Sequence, residues 1–216
     1  MRGMIRSGHI VKCVALLIVG VLGSLTVSAQ QTGFGVRGGV NGMAFENQSL
    51  LEEESLRGWH GGAYLKLGIT ESFGLQPELL FSRYGYSAGA TEAQAEASYD
   101  YHLNYLDLPV MLRFHITPGL YILGGPQFSY MLQARERIGW DQFAEEFTDI
   151  REERGDNIDV GAVVGIAFEL PNGLNIGARY GFEFSRSYSL DHFTQEHGRR
   201  IGQIHLGYTF GGRGDL

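Results

Sequence analysis

The sequence predicts an all-β fold, an eight-stranded antiparallel up-and-down transmembrane β-barrel of the outer-membrane type with short periplasmic turns and long acidic surface loops. Three observations predict it. Apolar and polar residues alternate in eight stretches between Phe34 and Phe210, the period of strands with two unlike faces. The links between these stretches are alternately long and short, which puts the long ones on one rim and the turns on the other. No apolar run of roughly 18 residues follows residue 29, which excludes a bundle of membrane-spanning helices.

The amino-terminus reads as an export signal. Arg2, Arg6 and Lys12 precede an uncharged apolar run from Val14 to Val27, and Val27-Ser28-Ala29 has the small-residue pattern of a signal-peptidase site. Residues 1–29 are therefore expected to be cleaved after export by the general secretory route, leaving residues 30–216 as a single barrel domain.

The short links are Thr70-Glu71-Ser72, Thr117-Pro118-Gly119 and Pro171-Asn172-Gly173, all turn-forming because Pro fixes φ and Gly or Asn tolerates positive φ. The long links are expected at Glu46 to Leu56, Gly85 to Ser98, Leu132 to Asp156 and Tyr188 to Gly198. The strands between them are expected to run about 10 to 13 residues, enough for a tilted strand to cross the apolar layer.

Each strand divides into a lipid-facing and an inward set. The seventh is the clearest: Leu174, Ile176, Ala178, Tyr180, Phe182 and Phe184 oppose Asn175, Gly177, Arg179, Gly181, Glu183 and Ser185. In the eighth, Ile204, Leu206, Tyr208 and Phe210 oppose Gln203, His205, Gly207 and Thr209. The sixth sets Val160, Val164, Ile166 and Phe168 against Asp159, Gly161 and Glu169, and the fourth sets Leu106, Leu108, Val110 and Leu112 against Asp107, Met111 and Arg113. The first three and the fifth follow the same rule less tidily, with Leu123 pointing inward.

The inward charges are Arg37, Lys66, Arg113 and Arg179 against Glu78, Asp107, Asp159, Glu169 and Glu183. An eight-stranded barrel is just wide enough for its own side chains, so these groups are expected to pair across the lumen as a packed plug. Inward glycines supply bend points and room for the long side chains. Trp59, Phe73, Tyr84, Tyr86, Tyr99, Tyr101, Tyr121, Tyr130, Phe184, Tyr188 and Phe210 are expected to form interfacial girdles. Pro77, Pro109 and Pro126 fall inside strands and remove ladder donors, so a bulge or weak pairing is expected around Pro109 and Pro126.

The net charge of −7 becomes −10 once residues 1–29, which hold three basic residues and no acid, are removed. That excludes the basic footprint of a nucleic-acid binder. The single cysteine, Cys13, lies within the signal, so the mature chain has no disulfide to rely on.

The segment Tyr105-Leu106-Asp107-Leu108-Pro109-Val110-Met111-Leu112-Arg113-Phe114, followed by Tyr121-Ile122-Leu123-Gly124-Gly125-Pro126, resembles the PorT-like outer-membrane β-barrel family, with Leu106, Pro109, Gly125 and Pro126 as the motif residues. The opening Gly35 to Asn41 and the closing Leu206 to Phe210 resemble it too. The resemblance implies an outer-membrane barrel, with some relatives linked to protein secretion, and no catalytic residue. It also implies that Phe210 is the aromatic read by the barrel-assembly machinery, although six further residues follow it here.

Two loops hold other candidate chemistry. Ser189, Asp191, His192, Glu196 and His197 are the residue types of a rim hydrolase, but nothing in their spacing joins nucleophile to base. His192 and His197 lack a third defined metal ligand. In the acidic segment Leu132 to Asp156, Phe143, Phe147 and Ile150 recur at helical spacing, so a short amphipathic helix is expected on the rim. A soluble ligand-carrying barrel would be apolar inside and polar outside, the reverse of this pattern. The expected protein is thus a monomeric, non-enzymatic outer-membrane barrel without cofactor or metal, contacting lipid and the assembly machinery, with a protein partner at its surface loops and no nucleic acid. The alternatives are a secretion-accessory or small-solute transport barrel and, third, a rim-located hydrolase.

Overall fold

The computed structural model describes residues 32–45, 56–92, 95–140, 143–144, 148–149, 158–184, 189–190, 193–194 and 199–210, and side chains over 32–42, 57–85, 102–135, 158–184 and 200–210. Eight long strands make up the wall: β1 Gly33–Phe45, β2 Leu56–Gly68, β3 Phe73–Glu92, β4 Ala95–Thr117, β5 Leu120–Trp140, β6 Ile158–Glu169, β7 Leu174–Glu183 and β8 Arg199–Phe210. Each is antiparallel to its neighbours in sequence. The ring closes because β1 pairs with β8, Phe34 opposite Phe210 and Phe45 opposite Arg199. Closure leaves no unpaired edge inside the lipid layer, where an unmet N–H or C=O would cost several kcal/mol.

The three short turns lie at one end, together with Gly33 and Phe210. Gly119 (φ 82°) and Gly173 (φ 91°) take the left-handed conformation that L side chains avoid. The Thr70 hydroxyl accepts from the Phe73 N–H at 3.0 Å, and the Asn172 side-chain oxygen accepts from the Leu174 N–H at 3.1 Å, so each polar turn residue satisfies its own backbone. By the rule that turns are periplasmic, the other end faces outside.

Alternation along each strand settles the faces. Over Leu174–Glu183 exposed and buried residues alternate almost without exception. Val40 (61%), Ile204 (59%) and Leu206 (58%) are exposed apolar side chains on the outer wall. Leu123 points inward and is buried, together with Met111, Tyr121, Val163 and Ala167. A second apolar cluster, Tyr84, Leu103, Tyr105, Met131, Ala134 and Ile201, fills the lumen nearer the outer end.

Several expectations need correction. The second and third long links are largely strand: β3 continues to Glu92, β4 starts at Ala95 and β5 runs to Trp140, lengths of 20, 23 and 21 residues. The apolar and polar contrast that marks a strand in lipid ends at the interface, while backbone pairing continues without it. In place of a helix, Phe143–Ala144 and Thr148–Asp149 pair with β5. Tyr84 and Tyr121 are buried in the lumen and belong to no girdle, whereas Trp59, Tyr130, Phe184 and Phe210 are exposed; Tyr86, Tyr99, Tyr101 and Tyr188 lie outside the described side chains.

The prolines interrupt three ladders. Register skips Leu65 and Lys66 opposite Pro77, Glu78 and Leu79 opposite Pro109, and Val110 and Met111 opposite Pro126. Register is retained across each gap, so these are missing bonds rather than bulges, as expected where a donor is absent. The register shifts between β4 and β5 lie elsewhere, between Asn104 and Tyr105 and between His115 and Thr117. Residues 1–29, expected to be the export signal, and the first long link at residues 46–55 lie outside the described residues.

The face assignment predicts unequal tolerance at neighbouring positions. Ile204→Arg, at the middle of the lipid face of β8, should cost about 2–4 kcal/mol in a urea refolding titration. Gly38→Ala should be near neutral, since a Cβ there meets only the His60 carbonyl at 3.6 Å, whereas at Gly39 it would run into the Ile204 carbonyl and the His60 ring, and Gly39→Ala should cost about 1–3 kcal/mol.

Candidate functional site

The charged lumen is the candidate site. Inward positions of neighbouring strands face one another across a narrow interior, so the sequence spacing of these groups says little about which of them meet. Glu78, on β3, is fully enclosed and meets Arg37 from β1, two strands away, and Arg179 from β7, across the ring. Arg179 donates from Nη1 and Nη2 to its two oxygens, each at 2.7 Å, the bidentate geometry a guanidinium favours with a carboxylate. Arg37 Nη1 is 3.3 Å from Glu78 Oε1, and Gln76 donates to the same oxygen at 2.7 Å. One carboxylate thus holds β1, β3 and β7 together.

The periplasmic end holds a second group. Lys66 donates to Glu169, whose side chain is half-buried beside the third turn. Tyr64 Oη hydrogen-bonds Thr209 Oγ1 at 2.9 Å and accepts from Asn175 Nδ2 at 2.9 Å, linking β2, β7 and β8. Farther out, His60 Nδ1 donates to Asn41 Oδ1 at 2.5 Å, and Gln203 donates to the same oxygen at 3.4 Å. Ser82 Oγ donates to Asp107 at 2.5 Å. Asp107 and Asp159 lie on either side of Ser129 in the register, and Glu183 lies opposite Gly161.

Of the nine charges read as inward, eight are buried: Arg37, Lys66, Glu78, Asp107, Arg113, Asp159, Arg179 and Glu183. Full pairing is not found. Arg113 has no ion pair or hydrogen-bond acceptor among the described residues and instead lies with its Cζ 5.4 Å from the Tyr121 ring. Alternation assigns a face but cannot assign a partner, and the nearest inward acid by strand position, Glu169, is taken by Lys66.

Alternation along β2 sets Tyr64 with Lys66 on the inward face, as found, but it passes over His60, whose neighbours are glycines, and the inward tyrosines 84, 105 and 121. Opposing glycines were the available signal: Gly35 faces Tyr64, and Gly39 and Gly177 face His60 and His205. The motif residues have structural work in the wall. Pro109 is inward and Leu106 faces lipid, while a Cβ at Gly125 would strike the Val110 carbonyl where Pro126 has opened the ladder. Phe210 stacks on Phe34 with ring centroids 4.9 Å apart on the outer face.

This arrangement gathers charge inside the wall, and within it the Ser82 hydroxyl meets the Asp107 carboxylate. Among the described residues no cluster of three or more His, Cys, Asp or Glu could hold a metal ion. Ser189–Leu190 pairs with Phe193–Thr194, but the side chains of Ser189, Asp191, His192, Glu196 and His197 lie outside the described residues.

The family model described as "Outer membrane protein beta-barrel domain" matches residues 28–195. The chain belongs to that family. This outer-membrane barrel is also similar to solved structures of the attachment invasion locus protein Ail of Yersinia pestis (11% identity, 83% of this chain and 97% of that one, TM-score 0.47) and of Neisserial surface protein A (11%, 85% and 99%, 0.49). A third is OprG from Pseudomonas aeruginosa (10%, 84% and 97%, 0.45). No curated protein matches it. The closed strand order carries the fold assignment without them.

The Glu78 bridge makes a quantitative prediction. Glu78→Ala strands two guanidiniums in the lumen and should lower unfolding stability by about 3–5 kcal/mol, read as a lower urea midpoint of the heat-modifiable band.

Proposed function

We propose that this outer-membrane barrel is a non-enzymatic interaction protein that presents the outer extension of β3, β4 and β5 to a protein partner outside the cell. The carrying observation is the register. β2 last pairs with β3 at Arg57 and Gly85, and β5 last pairs with β6 at Tyr130 and Ile158, yet β3 and β4 stay paired to Glu92 and Ala95, and β4 and β5 to Ala97 and Trp140. At about 3.3 Å per residue, the stretch beyond Gly85 adds roughly 20 Å of sheet along the strand direction.

The two edges of this extension differ. The β5 edge is covered by Phe143–Ala144 and Thr148–Asp149. The β3 edge, from Tyr86 to Glu92, has no second partner among the described residues. An unpaired edge is a template for an extended segment of another protein, with affinity from main-chain hydrogen bonds. A lumen packed with Tyr64, Tyr84, Tyr105, Tyr121, Met111 and Met131 supports a plugged barrel over a solute pore.

The same reading includes PorT-like membership, on Leu106, Pro109, Gly125 and Pro126, export by the segment 1–29, assembly through Phe210 and a monomeric barrel in lipid. A photo-crosslinking residue at Ala90 in intact cells should give a discrete protein adduct, which Ala88→Pro should abolish while the heat-modifiable barrel is retained. Absence of any adduct at Ala90 would contradict the reading. In planar bilayers the purified wild type should show no steady open level; a large stable conductance would favour transport.

A further inference from the structure

The lumen is electrically lopsided. Lys66 lies level with Gly33 and Arg113 level with Gly74, both next to the turn end, and the Arg37 and Arg179 pair on Glu78 forms the next layer. Among the described lumen residues these four cations share only Glu78 and Glu169, because Asp107, Asp159 and Glu183 lie farther toward the outer rim. Two positive charges among those described residues are left over in the periplasmic half, inside a wall that faces hydrocarbon.

Aromatic rings organise the cations into a row. Arg37 Cζ lies 4.3 Å from the centre of the Tyr64 ring, Lys66 Nζ lies 5.8 Å from Tyr64 and 5.9 Å from Tyr121, and Arg113 Cζ lies 5.4 Å from Tyr121. The rings soften repulsion between the cations without cancelling their charge. Arg113 is 5% exposed and, among the described residues, donates to no acceptor; its Nε is sealed from solvent without a partner. Arg37 leaves Nε and Nη2 in the same state.

Buried guanidinium donors without acceptors are rare, since each costs free energy. Water would satisfy the N–H groups but leave two charges uncompensated. A small anion with several oxygens meets both needs, because its acceptors match the guanidinium fork. We infer that the periplasmic end of the lumen is a binding site for a small oxyanion of the phosphate, sulfate or carboxylate class, held by Arg113, Lys66 and Arg37 between the Tyr64 and Tyr121 rings. Half-buried His115 and Glu169 mark the side of the site nearest the turn end. The closed wall separates the site from lipid headgroups, so the ligand is a free anion from the periplasmic solution. The site is independent of the outer extension and stands or falls without it.

The test uses the full folded barrel in a nonionic detergent without phospholipid, with inorganic phosphate as the probe. At about 100 mM phosphate its thermal midpoint should rise by about 3–5 °C over chloride of matched ionic strength and pH. Arg113→Gln should erase that phosphate-specific rise, and Arg113→Lys should retain part of it. Phosphorus NMR on the wild type gives a reading that does not depend on a variant's folding: phosphate lines should broaden with barrel added and sharpen again when excess sulfate competes. Equal midpoints in phosphate and chloride, an undiminished rise in Arg113→Gln, or phosphate lines indifferent to the barrel would each overturn the site.

Discussion

A sheet of eight strands closed on itself leaves an interior about one layer of side chains wide, and in a membrane its outer wall must be apolar. Within the lipid layer the polar groups on these strands are therefore turned into a space where bulk water cannot serve them, while Arg57, Arg83 and Arg135, nearer the outer rim, are exposed. The side chains fit because large and small residues face each other on neighbouring strands. A Cβ at Gly165 would come 2.8 Å from Arg179 Cγ, at Gly177 2.7 Å from the His205 ring, and at Gly207 2.6 Å from Asn175 Oδ1. Glycine, weakening in an ordinary strand, is here the condition for placing Arg, His and Asn inside.

The same confinement explains why one carboxylate binds two guanidiniums. Glu78 is within reach of Arg179 on the opposite side of the ring only because the barrel is so narrow, and that contact ties together segments 101 residues apart in sequence while Arg37 joins it from β1. The outer half of the lumen is differently built. Tyr84, Tyr105 and Met131 pack with Ile201 there, so its filling is apolar around the acids of β4, β6 and β7. An apolar plug toward the outer end and a layer of buried cations toward the turn end give the barrel a direction across the membrane that its symmetric wall lacks.

The faces of β6, β7 and β8 were legible residue by residue, because in lipid the period-two contrast is unmistakable. Inward charge was legible for the same reason. Partner choice was not: Lys66 and Arg113 both have their inward face near Glu169, and alternation cannot say that Lys66 takes it. Tyrosines 84 and 121 were misplaced because Tyr suits an interface and a lumen equally well, and only the opposing residue decides. The extension of β3 to β5 escaped notice because Ser87, Gly89 and Thr91 alternate with alanines rather than large apolar residues, so the signal that lipid imposes is missing where the sheet leaves the membrane.

The account depends on the lumen being held by direct charge pairing across the ring. A double-mutant cycle measures that pairing: Glu78→Leu, Arg179→Met and the combined variant, each unfolded in urea from the same detergent. The account predicts that the two losses are not additive, with a coupling of about 2 kcal/mol between Glu78 and Arg179. Losses that add to within about 0.5 kcal/mol would show that the two groups do not support each other in the folded barrel, and would contradict it.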